Sequence, residues 1–181
     1  MIEFEFKIFC QSVDMNDDSF LDLLYEAGCD DALISFKDGY ACLDFSRASE
    51  NAEDAVVSAV KGIQKAGVVG HIERIEPDDL ASLSTIAKRV GVTRASLQKY
   101  ARGVSKVGKD FPQPIANISG SKRELFSTAQ VMNWMCKKNK VQLPRDALEL
   151  CNVIAKTNQA LIVAKAHKDV EIQRLLSRLT A

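Results

Sequence analysis

Apolar and charged residues alternate from the start of the chain. Residues 2–9, Ile-Glu-Phe-Glu-Phe-Lys-Ile-Phe, predict a strand with one buried face. The period then lengthens. Phe20, Leu23, Leu24 and Ala27 share a helical face across residues 17–27, with Asp17 and Asp18 near its start and Gly28 as its terminator. Residues 32–36 and 40–45 read as two short strands. The Asp38-Gly39 pair between them is a hairpin signal, because glycine tolerates the positive φ of a tight turn. Ala52, Ala55, Val56, Ala59, Val60 and Ile63 mark a second helix over residues 50–66 that ends at Gly67. Residues 68–75 form a last strand before Pro77.

The order β-α-β-β-α-β predicts an α+β chain whose residues 1–79 form a ferredoxin-like, split βαβ domain. That plan hosts many functions, so the order alone assigns none. The segment has no glycine-rich phosphate loop. The pairs Asp30-Asp31 and Asp78-Asp79 read as cap and turn residues rather than as an acid–base pair.

The pattern changes after Pro77. Ser82 is placed to cap a helix, and Ile86, Val90, Val92, Leu97 and Tyr100 have the spacing that packs two short helices across a tight turn. Ala87 is small enough for the second helix to approach, Gly91 fits a turn of positive φ, and Thr93 caps the second helix. With Leu97, Tyr100 and Ala101 turned inward, Ala95, Ser96, Gln98, Lys99 and Arg102 point outward, and none is acidic. Farther on, residues 111–118 and 124–126 flank Ser119-Gly120-Ser121-Lys122-Arg123, which reads as a small hairpin with Lys122 and Arg123 at its tip. Ser127 to Gln130 fits a capping box, and Val131, Trp134 and Met135 supply the stripe of a closing helix. From Pro144 to Leu179 there is no glycine or proline. Ala147, Cys151, Ile154, Asn158, Leu161, Lys165, Lys168, Ile172, Leu175 and Leu179 follow a four-three repeat, so residues 141–181 predict one long helix or two joined ones, serving packing or dimerisation.

Composition alters this picture through the distribution of charge. The net charge is zero, yet residues 1–81 hold 18 acids against 6 Lys/Arg, while residues 82–145 hold 13 Lys/Arg against 2 acids. Such segregation points to a polyanion-binding module tied to an acidic one. The five cysteines form no C-x-x-C pair, and the two histidines lie far from any cysteine cluster, so no metal or other cofactor is expected. No nucleophile–base set is visible, so no catalytic residue is expected and the chain is not read as an enzyme. The start lacks the basic and apolar regions of a signal peptide, and no stretch reaches the roughly 18 apolar residues of a membrane span. The expected location is the cytoplasm.

Residues 82–138 resemble the winged helix-turn-helix of the AlpA, excisionase and MerR-type group. The Phe111-Pro112-Gln113-Pro114 segment before the hairpin and the Val131/Trp134 spacing after it match the AlpA branch. The resemblance implies double-stranded DNA binding by the helix that starts at Thr93, assisted by a wing near Lys122 and Arg123. Thr93, Arg94, Ala95, Ser96, Gln98, Lys99, Arg102, Lys122 and Arg123 are therefore the candidate DNA-contacting residues. The domains expected are 1–79, 80–140 for the reader, and 141–181. The function expected is a transcriptional regulator, a homodimeric repressor. The alternatives are an antitoxin-like protein that also binds a protein partner through its acidic domain or C-terminal helix, and an excisionase-like architectural protein.

Overall fold

The computed structural model describes residues 1–12, 19–37, 39–103, 108, 110–118 and 123–180. It is an α+β structure that divides into two compact units. Unit 1 comprises Met1–Glu76 together with Val153–Ala181, and unit 2 comprises Pro77–Asn152.

Unit 1 opens with β1 (Ile2–Ser12), α1 (Phe20–Glu26), β2 (Ala32–Lys37), β3 (Tyr40–Ser49), α2 (Ala52–Ala66) and β4 (Val69–Glu76). The strands form one sheet in the order β2-β3-β1-β4, antiparallel at every neighbour. Alternation along β1 buries Phe4, Phe6, Ile8 and Cys10 on one face. Opposite them on β3 stand Arg47, Phe45, Leu43 and Ala41, and the Phe6 and Phe45 rings stack at 5.3 Å. Asn51 caps α2 by accepting from the Asp54 amide at 2.8 Å, and Gly67 ends it at φ +68°. Gly62 sits inside α2 for a different reason. A Cβ there would stand 2.9 Å from Cys29 Sγ and 3.1 Å from the Ala27 carbonyl, so the bare backbone admits the end of α1.

Arg47 occupies an inward-facing position of β3 and is only 8% exposed. Its guanidinium donates to both Asp31 oxygens at 2.6 and 2.7 Å, to the Gly28 carbonyl at 2.6 Å and to Ser58 Oγ at 3.1 Å. A charge taken out of water is tolerated only with this degree of compensation. The result fastens the α1–β2 connection and α2 to the sheet.

The C-terminal segment returns to this unit. α6 (Arg145–Lys168) follows the six elements of unit 2, and α7 (Val170–Leu179) follows it after a break at Asp169. From Val153 onward α6 belongs to unit 1, where it buries Ile154. β4 is an edge strand, and Asn158 covers its open side. The Asn158 amide donates to the Ile75 carbonyl and accepts from the Ile75 amide, both at 2.8 Å. Lys165 reaches Glu73 on the same strand at 3.3 Å. Asn158 and Lys165 of the four-three repeat thus face a strand edge and its carboxylate. The two compact units divide at Asn152, inside α6.

Unit 2 holds β5 (Leu80–Ala81), α3 (Leu83–Arg89), α4 (Arg94–Ala101), β6 (Ala116–Ile118), β7 (Arg123–Ser127) and α5 (Thr128–Lys137). Its three strands run in the order β5-β7-β6. The core joins Ile86, Ala87, Val90 and Leu97 to Phe126, Val131, Trp134 and Met135. Phe111 lies 5.0 Å from the Trp134 ring and 6.0 Å from Phe126, both edge-on, and Tyr100 closes on Trp134 at 5.2 Å.

Candidate nucleic-acid interface

The candidate interface is built on the α3–α4 corner. Ser82 accepts from the Thr85 amide at 3.2 Å and starts α3. The helix ends where Gly91 takes φ +70° and the Val92 amide reaches back to the Ala87 carbonyl at 2.9 Å. Thr93 then caps α4 by accepting from the Ser96 amide at 3.2 Å. Leu97 is fully buried between the two helices. One orientation of α4 is therefore set by the turn and cap at its N-terminus and by Leu97 from below.

The other face of α4 is open. Arg94, Ala95, Lys99 and Arg102 are exposed, and Gln98 is partly buried. Arg94, Lys99 and Arg102 have no hydrogen-bond or ion-pair partner among the described residues. Thr93 and Ser96 stand apart from this set, because their hydroxyls bond each other at 2.8 Å and serve the cap. They position α4 more than they offer side chains.

A cleft of about 570 Å³ runs beside α4. Arg94 and Gln98 line it together with Ser84 and Thr85 of α3 and Ile118 and Glu124 of the β6–β7 pair. Ala95, Lys99 and Arg102 lie outside that lining. The candidate residues thus divide into a pair that looks into the cleft and a group on the flank of α4. Ser84, Thr85 and Glu124 were not singled out by sequence. Their signal is only their position, in the first turn of α3 and on the β6–β7 pair.

One further placement differs from expectation. Arg123 is the first residue of β7, paired with Ile118, so it belongs to the strand and not to the tip. Lys122 lies outside the described residues, as does most of residues 104–110. Arg89 is basic but is held in the scaffold, donating to the Asp78 carbonyl at 2.8 Å and to Thr128 Oγ1 at 3.2 Å. The acidic pair beside it is also architectural. Asp78 accepts from the Leu80 amide at 3.1 Å. Asp79 Oδ1 accepts from the Ala129 amide at 2.8 Å and from Ser127 Oγ at 3.0 Å, which satisfies the start of α5.

Unit 2 carries 13 Lys/Arg against 6 acids, and unit 1 carries 11 against 18. In unit 2 Lys138 pairs with Asp110 at 3.0 Å. No group of three or more His, Cys, Asp or Glu among the described residues is placed to hold a metal. No helix among them is long and apolar enough to cross a membrane. Comparison of the chain with protein-family models, with curated proteins and with solved structures found no match.

Proposed function

We propose that the chain is a sequence-specific DNA-binding transcriptional regulator that reads double-stranded DNA with α4 and acts as a dimeric repressor. The observation that carries this reading is the open face of α4. It presents Arg94, Gln98, Lys99 and Arg102 without an acid among them, on a helix whose caps and buried Leu97 hold it rigid. A reading helix needs such side chains near its N-terminal half, since arginine pairs with guanine edges and glutamine with adenine. The order β5-α3-α4-β6-β7-α5, with β5 paired to β7, supports a winged helix-turn-helix. The strand order β2-β3-β1-β4 supports a ferredoxin-like plan for unit 1.

The test is a fluorescence-anisotropy titration on a duplex selected from genomic fragments, repeated across salt concentrations. A monomer that neutralises about four to six phosphates gives a log–log slope of roughly −4 to −5. A slope near zero would remove DNA as the partner of the basic unit.

A further inference from the structure

α7 carries an apolar stripe that its own unit leaves open. Ile172, Leu175, Leu176 and Leu179 recur at three- and four-residue spacing and share one face. They are 39, 56, 44 and 82% exposed, and α7 has no buried residue. The helix is a separate element with its own cap. Asp169 leaves helical geometry, and its carboxylate accepts from the Glu171 and Ile172 amides at 2.9 and 3.1 Å. Gln173 ties back to the Ala166 carbonyl at 3.1 Å. A ten-residue helix is marginal in water without tertiary packing, so this stripe calls for a cover.

The charges indicate which cover fits. Glu171 and Arg178 stand on the same flank of the stripe, two turns apart, one near each end of the helix. Among the described residues neither has an ion-pair partner. An acid at the N-terminal end and a base at the C-terminal end make this flank complementary to itself when two copies run antiparallel. Each Glu171 then meets Arg178 of the other copy. A parallel pair would set the flank against Gln173 and Thr180 of the other copy, which carry no charge. An anionic lipid surface fits less well, because it attracts a run of cations and this flank mixes signs.

We propose that α7 is an antiparallel self-association helix through which two copies of this chain pair. A stable interface buries about 800 Å² per partner, more than one ten-residue stripe supplies, so pairing through α7 alone is weak. It tightens when both copies stand on one duplex and the second contact becomes intramolecular. This last step rests on the DNA-binding reading; the pairing itself does not.

Sedimentation equilibrium of the full chain without DNA, from micromolar to submillimolar concentration, should show a monomer–dimer equilibrium. Leu175→Gln together with Leu179→Gln should weaken it at least about tenfold, with the melting temperature unchanged because neither side chain is buried. Glu171→Arg alone and Arg178→Glu alone should each weaken self-association. A mixture of these two single variants should pair more tightly than either by itself, and the double variant should regain the dimer. A chain that stays monomeric throughout overturns the proposal. So does a dimer indifferent to the apolar substitutions, a mixture no tighter than its parts, or capture by anionic vesicles in place of self-association. The salt titration reads DNA binding separately. A monomer with a steep salt slope removes the pairing alone, and a dimer with no affinity for DNA removes the reader alone.

Discussion

The two units differ in how far they pair their basic residues. In unit 1 four of them are spent internally: Arg47 on Asp31, Arg74 on Glu76, Lys165 on Glu73, and Lys7 on Asp44. In unit 2 the described Lys/Arg residues are mostly left without counterions, although this is the unit with the basic excess. Exposed ion pairs contribute little to stability, so the pairing in unit 1 is chiefly charge neutralisation, with the enclosed Arg47 as the structural exception. Unpaired cations on a rigid helix repel one another and gain only when an outside anion arrives. The contrast teaches that net charge alone understates unit 2. What distinguishes it is that its charge remains available.

Five substitutions or conditions would break or sharpen this contrast. Leu97→Ala should have the largest effect, lowering the stability of unit 2 by about 2–5 kcal/mol, because it opens a cavity between α3 and α4. Thermal melts with DNA titrations should show affinity falling only as unit 2 unfolds. Arg47→Ala acts in the other unit. It strands Asp31, which keeps partial solvent access, and should cost about 3 kcal/mol while leaving DNA affinity untouched. A loss of affinity in the folded variant would mean that the units do not divide labour as described.

Gln98→Ala should weaken the selected duplex by about 1–3 kcal/mol and leave a scrambled duplex nearly unchanged. Lys99→Ala should weaken both alike and make the salt slope shallower by about one. Equal losses on both duplexes for folded Gln98→Ala would take specificity away from α4. Alkaline pH gives the mildest effect, and it touches both units. Burial pushes the Cys10 thiol up to about 12 and the Cys151 thiol up to about 11. Above pH about 8.5 the unfolded thiols ionise while the folded ones stay neutral. Their contribution is therefore intact below that pH and declines as pH rises toward the folded values, by at most about 1.4 kcal/mol per thiol per pH unit. Cys10→Ala should flatten the alkaline decline of unit 1, read as denaturation midpoints at pH 8 and 10.

Local signals made much of this structure legible in advance. Asn51 and Gly67 bracket α2, and Ser82, Gly91 and Thr93 mark the corner, because caps and turns depend on a few consecutive residues. Partnerships distant in sequence were not legible. The strand expected at residues 40–45 runs on to Ser49, since Arg47 reads as an interruption until Asp31 is seen beside it. The polar Asn158 and Lys165 left the C-terminal helix divided between packing and dimerisation. Their partners Ile75 and Glu73 lie more than 80 residues earlier, and they commit residues 153–168 to packing. A fragment ending near residue 79 would lose that cover of β4 and leave the edge of the sheet open. At the candidate site the outward face of α4 was legible from its period. That Thr93 and Ser96 spend their hydroxyls on each other was not, because rotamers are settled by local geometry.

The aromatic cluster of unit 2 has an optical consequence. Trp134 is the only tryptophan in the chain, so emission excited at the red edge of the absorption band comes from unit 2 alone. Tyr100, 5.2 Å from the indole, transfers its excitation to it. Whatever tyrosine emission survives then comes from Tyr25 and Tyr40, which both belong to unit 1. Without any label, the chain carries one fluorophore for each half, and a single denaturant titration read at two wavelengths can report whether the halves unfold together or one after the other.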